Sequence, residues 1–234
     1  MSRERRFFVP DLGASSVELT DEEAHHLTHV LRLGEGDGVA LFDGKGHAAH
    51  ATVVRIDSDL VALEVGDRLP ANESPLTLTL AIAVPKGDAM ALIVQKLTEL
   101  GVATIQPLLS DNSETEGEAI SKRIERFKRV SLEAAKQCGR SQLPVIETPK
   151  PFEALARPDA MVLTPGAPPL DSSEKLSTNP VVLVGPEGGW SAPELHLAQD
   201  RKLNVFGLGP RTMRTETAAI AAATLIQWLG GDLS

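Results

Sequence analysis

The sequence predicts an α/β protein: a parallel sheet flanked by helices in the larger C-terminal part, preceded by a small β-rich domain. Three observations carry this. Residues 76–108 read as strand, helix, strand, the spacing of a βαβ unit with parallel strands. Residues 181–184 and 204–208 are short apolar runs, and each ends in a Gly/Pro loop leading into a helix. That is the layout of an α/β ligand site at the carboxyl ends of its strands. In the N-terminal part, Asp43-Gly44-Lys45-Gly46 separates two strand-like runs, a strong hairpin signal.

In chain order, residues 39–42, 48–56 and 60–65 are strand-like, with turns at 43–46 and 57–59. Residues 20–32 form the one helix of this part. Thr20 and Glu23 have capping-box spacing, and Leu27, Val30 and Leu31 supply an apolar stripe. His25 and His29 lie one turn apart on it, but no Cys or acidic cluster completes a metal set, so they read as surface or half-buried helix residues and no metal is expected. The linker is 69–75, LPANESP, which divides the chain into domains 1–72 and 73–234. Then follow a strand at 76–84, a helix at 89–100 closed by Gly101, and a strand at 102–108. Residues 110–119 are an acidic exposed loop. Residues 121–139 are a helix with Ile124, Phe127, Ala134 and Cys138 along one side. A connector, 144–158, carries a short helical patch. A strand at 160–163 ends at Thr164-Pro165-Gly166, and a proline-rich connector spans 167–180. Ser191 and Glu194 form a second capping box, and residues 217–229 are an Ala-rich final helix able to approach its neighbours closely.

At 234 residues the chain has room for one large domain or two, and its 42% hydrophobic content suits packed cores. Cys138 is the one cysteine, so no internal disulfide is possible and a reducing cytosol fits. Residues 1–6 are not followed by a signal-type apolar core, and no apolar run approaches a membrane span; a soluble cytoplasmic protein is expected. Residues 121–140 hold seven Lys or Arg and two Glu, a net of plus five in a chain of net charge −9. A basic stripe on an acidic protein is a candidate phosphate track, while the acidic remainder argues against indiscriminate nucleic-acid binding.

The loops after 184 and 208 carry the chemistry. Gly185, Gly188 and Gly189 permit close backbone approach to a flat ligand, and Pro186 stiffens the turn. Glu187 is the one ionisable group of the first loop; Arg211 and Arg214 occupy the second, with Glu216 just beyond. The pattern is neither G-x-G-x-x-G nor a Walker A loop. Taken alone, GPEGG stands equally as a tight turn or as a site.

GPEGGWSAPE with LGPRTMRTETA resembles the SPOUT class of RNA methyltransferases. RRFFVP at 5–10, HVLRLGEGD at 29–37, LFDGKG at 41–46, QKLTELG at 95–101 and EAAKQCGR at 133–140 narrow the resemblance to the family that methylates N3 of a uridine in 16S, small-subunit, ribosomal RNA. It spans nearly the whole chain. It implies an N-terminal PUA-like β-barrel that holds RNA and a C-terminal parallel sheet with a deep trefoil knot. It also implies S-adenosylmethionine as methyl donor, a homodimer, and small-subunit rRNA, within an assembled subunit, as partner. The cofactor would be held by Leu163 and Thr164 from one loop, by Gly185, Pro186 and Gly188 from the next, and by Leu208, Gly209, Met213 and Thr217 from the third. RNA contacts would fall to Arg6, Arg32, Lys86, Arg126, Arg129 and Arg140, although Lys86 stands equally as a solvated loop residue. Family members often carry an arginine in the segment that here reads Ser110-Asp111-Asn112-Ser113, so one basic RNA contact is missing. Uridine N3 must lose its imide proton or have its anion stabilised as the methyl arrives, and it must be unpaired or flipped out. Glu187 and Arg214 are the candidate catalytic residues, with the identity of the base open. A SPOUT enzyme acting on tRNA and a non-catalytic RNA-binding assembly factor are the competing readings.

Overall fold

The computed structural model describes residues 5–57, 60–170 and 176–233. The chain forms two compact units, 1–73 with 135–143, and 74–134 with 144–234.

The first unit is a five-stranded sheet. Strands β1 (Arg6–Phe8) and β2 (Ser16–Thr20) precede helix α1 (Asp21–His25), and β3 (Gly38–Phe42), β4 (Ala48–Ile56) and β5 (Leu60–Leu69) follow. The order is β1-β3-β4-β5-β2, antiparallel except for the β1–β3 pair. Phe7, Leu41, Val53 and Leu63 fill its core with Leu27. The predicted turn is pinned by Asp43, whose carboxylate accepts from the N–H groups of Lys45 (2.7 Å) and His47 (3.1 Å) and pairs with the His47 ring at 2.7 Å. Gly44 and Gly46 take positive φ there. Ser58 and Asp59 of the second predicted turn lie outside the described residues.

The predicted helix at 20–32 is shorter and differently started. α1 covers five residues and passes into a π-helical turn, His26–Val30. The Thr20 hydroxyl donates to Asp21 instead of capping the helix. Glu23 is drawn away to an ion pair with Lys136, well shielded on both sides. A long-range charge pair has outcompeted the local cap. Glu73, inside the predicted linker, is likewise engaged. Its carboxylate accepts from the backbone N–H groups of Ser141 and Gln142, both 2.8 Å, and from Arg140 Nε, also 2.8 Å.

The second unit begins with β6 (Thr79–Ala83), α2 (Ala89–Glu99) and β7 (Thr104–Leu109), the predicted βαβ unit. Gly101 adopts φ +75° at the helix end. The helix predicted at 121–139 is α4 (Ile124–Cys138), and a short helix, α3 (Gly117–Ser121), forms at the end of the predicted loop 110–119. Between them, the Arg123 guanidinium donates to the Gly87 carbonyl at 2.6 Å. Short strands β8 (Val145–Ile146) and β9 (Lys150–Pro151), helix α5 (Phe152–Leu155) and strands β10 (Ala160–Leu163) and β11 (Val181–Val184) follow. The chain closes with α6 (Ala192–Asp200), β12 (Asn204–Phe206) and α7 (Thr215–Gly230). Residues 171–175 of the predicted connector lie outside the described residues.

The sheet order is β12-β10-β11-β6-β7-β8, with β9 also on β7, and every pairing is parallel. Both faces are covered, as continuous apolar strands require. Leu80, Ile82, Val182 and Val184 point to α2 and α7; Ala81, Ala83, Val181 and Leu183 point to Phe152 and Ala198 on the other side. Ala219, Ala222 and Ala223 of α7 are fully buried; their small side chains let the helix lie close on the sheet. Trp228, on the same helix, is 59% exposed and outside the core.

Candidate active site

The site is set by register. Leu163 of β10 pairs with Val184 of β11 on one side and with Phe206 of β12 on the other. Three neighbouring strands therefore end at one level, and three loops leave side by side, at the carboxyl edge where α/β sheets bind ligands. The loops are stitched together by backbone. Thr164 N–H donates to Phe206 C=O (2.9 Å) and Gly207 N–H to Pro168 C=O (2.7 Å). Trp190 Nε1 donates to Leu163 C=O at 2.9 Å, and its ring lies so close to Gly185 that an added Cβ would meet Cε2 at 2.9 Å. Phe152 supports the indole edge-on, with centroids 5.0 Å apart. The Thr215 hydroxyl donates to Gly185 C=O from the start of α7 at 3.4 Å. Downstream, Ser191 and Glu194 form the predicted capping box on α6.

Between the loops lies an open cleft with about 100 Å³ of space accessible to water-sized molecules. Of the predicted cofactor residues, Leu163, Thr164, Gly185, Pro186, Leu208, Gly209 and Met213 line it. Gly188 lines an adjacent cleft, and exposed Thr217 lines neither, Thr215 and Ala218 facing the cleft from α7 in its place. Trp190 and Arg211 are further lining residues. Both stand in the quoted motifs, but spacing does not show which way they turn. The Thr164 hydroxyl is buried without a hydrogen-bond partner, an unmet polar atom that a ligand's polar edge would satisfy. Apolar walls, glycine backbone and one waiting hydroxyl fit a nucleoside-type ligand such as S-adenosylmethionine.

Glu187 lines this cleft and also the adjacent one, which opens after β6 and β7. Arg214 stands between Met213 and Thr215, but its side chain is 83% exposed and 3.9 Å from Glu216. The predicted RNA contacts divide. Arg32 and Arg129 are exposed. Lys86 pairs with Glu114 at 2.5 Å, and Arg126 donates to Asp88 at 2.7 Å, a bond that holds the Asp88 carboxyl below its ordinary range. Arg6 donates to Arg140 C=O and Ser141 Oγ, and Arg140 is buried against Glu73. The last two are thus engaged within the first unit. His25 and His29 stack at 4.5 Å, and among the described residues no group of three or more His, Cys, Asp or Glu is placed to hold a metal.

Two family descriptions match the chain: an RNA methyltransferase domain over residues 72–227 and an RNA methyltransferase PUA domain over residues 19–66. Ribosomal RNA small subunit methyltransferase E of Synechocystis is 35% identical, covering 92% of this chain and 74% of the relative. The protein of that name in Aquifex aeolicus is 32% identical, over 88% of this chain and 90% of the relative. The crystal structure of a ribosomal RNA small subunit methyltransferase E from Neisseria gonorrhoeae bound to S-adenosylmethionine superimposes with a TM-score of 0.90. It is 31% identical, with 99% of this chain and 100% of that one covered.

Proposed function

The chain belongs to the ribosomal RNA small subunit methyltransferase E family, and we propose that it moves a methyl group from S-adenosylmethionine to N3 of one uridine in 16S rRNA. The observation that carries the site assignment is the cleft at the level ends of β10, β11 and β12, with its unmet Thr164 hydroxyl. Leu163, Leu208 and Met213 enclose the flat part of the cofactor. Backbone groups of the Gly185–Gly188 and Leu208–Gly209 segments, with Thr164 Oγ1, meet its polar edges. Bound there, the cofactor supplies an electrophilic methyl carbon on a sulfonium sulfur.

The chain's own residues prepare the acceptor. The N3–H bond must break as the N3–carbon bond forms, and the proposed acceptor of that proton is Glu187, which lines both clefts. Arg214, exposed beside the cleft wall, stabilises negative charge on a uracil carbonyl. Arg32, Arg126 and Arg129 are the surface cations for the RNA backbone, and Lys86 is a further RNA contact at the adjacent cleft. The apolar cluster of exposed Trp228 and Leu233 with half-buried Leu225 and Ala221 supports a homodimer through α7, in the cytoplasm. The hydrogen bond and parallel bridge between residues 168–169 and Gly207 tie these two loops together; the trefoil knot is proposed from the family resemblance alone.

The test offers labelled S-adenosylmethionine with unmodified small ribosomal subunits, naked small-subunit rRNA and bulk tRNA in separate reactions, and maps the product nucleoside. Label as 3-methyluridine in the subunit or its rRNA is expected. Label in tRNA alone, or a different methylated nucleoside, refutes the target.

A further inference from the structure

We propose that the cleft at the carboxyl ends of β6 and β7 is the seat of the acceptor uracil, so that donor and acceptor meet across Pro186 and Glu187. The assignment rests on the uridine-N3 reading above. Val84, Pro85 and Pro186 make the cleft's apolar surface, and Lys86, Asn112, Glu114 and Glu187 its polar one. Uracil is a flat ring with two carbonyls that need donors and one imide N–H that needs an acceptor, and an unstacked base is read by such edge contacts. The Lys86 ammonium and the Asn112 amide are the donors, and the Glu187 carboxylate is the acceptor. Asn112 spends one amide hydrogen on Gly189 C=O at 2.9 Å, and its second N–H remains for a ligand. Lys86 is held by Glu114 in a pair exposed on both sides. Pairs of this kind are weak, so the ammonium can exchange Glu114 for a base carbonyl.

The cleft is also built to hold its shape. Glu194, only 5% exposed, fastens the segment after β7 to the glycine loop after β11. Its carboxylate accepts from Ser110 Oγ (3.0 Å) and Asp111 N–H (3.2 Å) on one side and from Ser191 N–H (2.8 Å) on the other. Ser191 Oγ adds a bond to Asp111 Oδ2. Gly188 lets the two walls approach: a Cβ there would stand 3.3 Å from Asn112 Cβ. Asn112 thereby presents a short amide in the wall of the cleft. The Glu194 clasp makes that amide a fixed feature and not a loose surface group. Glu194 is a positioning residue for the acceptor cleft.

The experiment uses the full chain. Wild-type protein first identifies the methylated nucleotide in small-subunit rRNA; 5-iodouridine is then placed at that nucleotide and the complex is irradiated. Crosslinks to Pro85, Lys86 or Asn112 are expected; crosslinks confined to 163–165 and 208–213, or to the first unit, overturn the assignment. In parallel, Asn112→Ala and Lys86→Met should each lower kcat/KM for the RNA about tenfold, with S-adenosylmethionine affinity within about twofold of wild type. Lys86→Arg should recover part of the loss. Unchanged RNA kinetics, or an equal fall in cofactor affinity, would refute the acceptor cleft while leaving the methyltransferase reading in place. A wild-type product other than 3-methyluridine, or none, removes the N3 reading and the acceptor cleft with it.

Discussion

Gly207→Ala tests the construction of the donor cleft more severely than any change in its walls. Gly207 follows β12, and its N–H donates to Pro168 C=O at 2.7 Å. A Cβ at this position would fall 3.1 Å from the carbonyl carbon of Ala167 and 3.2 Å from its nitrogen, with the carbonyl oxygen closer still. The obstacle is backbone, so no side chain can rotate away. Ordinary contact begins near 3.4 Å, so the two loops must part and the 2.7 Å bond must lengthen or break. Overpacking of this kind costs about 1–3 kcal/mol, and the lost hydrogen bond adds about 1 kcal/mol. The expected destabilisation is therefore about 2–4 kcal/mol. Because Thr164 and Leu208 lie on the two loops being separated, S-adenosylmethionine affinity should fall at least about tenfold, or about 1.4 kcal/mol. Gly209→Ala is the comparison. Its φ of +99° makes alanine strained, but nothing lies within 4 Å of the added Cβ, so only conformational strain of about 1–2 kcal/mol applies. Urea unfolding and calorimetric cofactor titration of both variants decide the matter. Trp190 fluorescence, read in a Trp228→Phe background, reports the wall itself. A Gly207→Ala protein as stable and as tight-binding as wild type, or less impaired than Gly209→Ala, would show that the close approach of these loops does not shape the cleft.

Three other outcomes are expected. Thr164→Val removes a buried hydroxyl with no partner; the ligand-free protein should keep its stability or gain up to about 1 kcal/mol, while cofactor affinity falls about fivefold to tenfold. Thermal unfolding with and without ligand separates the two effects, and a loss of ligand-free stability would contradict the unmet hydroxyl. Glu73→Ala withdraws a carboxylate from Arg140, Ser141 and Gln142 and should cost about 3 kcal/mol. Hydrogen exchange should rise first in 135–143, and Glu73→Gln, which keeps one acceptor oxygen, should be milder. Burial raises the Asp43 carboxyl pKa, but hydrogen bonds from the His47 ring and from the Lys45 and His47 N–H groups lower it further, for a net value below 3.8. A depressed folded value means a contribution fully present above the unfolded pKa and lost as pH falls through the folded one. Acid titration of β3–β4 exchange protection should therefore show a decline on the acid side of the ordinary aspartate range that Asp43→Asn lacks.

What the sequence disclosed and what it hid follow from the range of the interactions. Strands β10 and β11 were legible to the residue because each is a four-residue apolar run stopped by Thr-Pro-Gly or Gly-Pro, and burial on both faces is written into such a run. Val102 and Ala103 were read as strand, yet β7 begins at Thr104: the Val102 N–H closes the Gly101 turn on Leu97, and Ala103 shares the Leu78 carbonyl with Thr104 instead of starting the ladder. The donor loops were legible as glycine-rich turns, but the inward face of Trp190 was not, since it depends on Leu163 C=O from another strand.

The two capping boxes make the limit concrete. Thr20–Glu23 and Ser191–Glu194 have the same spacing, and local chemistry alone predicts both. Glu23 meets Lys136 from a distant helix and abandons its cap. Glu194 meets Ser110 and Asp111 from a distant loop and keeps its cap, because a carboxylate has lone pairs enough to serve Ser191 N–H and both newcomers. The difference lies in the partner: an ammonium draws the whole carboxylate toward itself, whereas a hydroxyl and an amide take separate oxygens at their edges. A local motif survives in the fold when its long-range competitor asks for a lone pair and fails when the competitor asks for the charge. Removing the charge is the corresponding trial. Lys136→Ser should release Glu23, restore the Thr20 cap and lengthen protection at the start of α1. If exchange at residues 21–24 stays as fast as in wild type, competition for the carboxylate is not what shortened this helix.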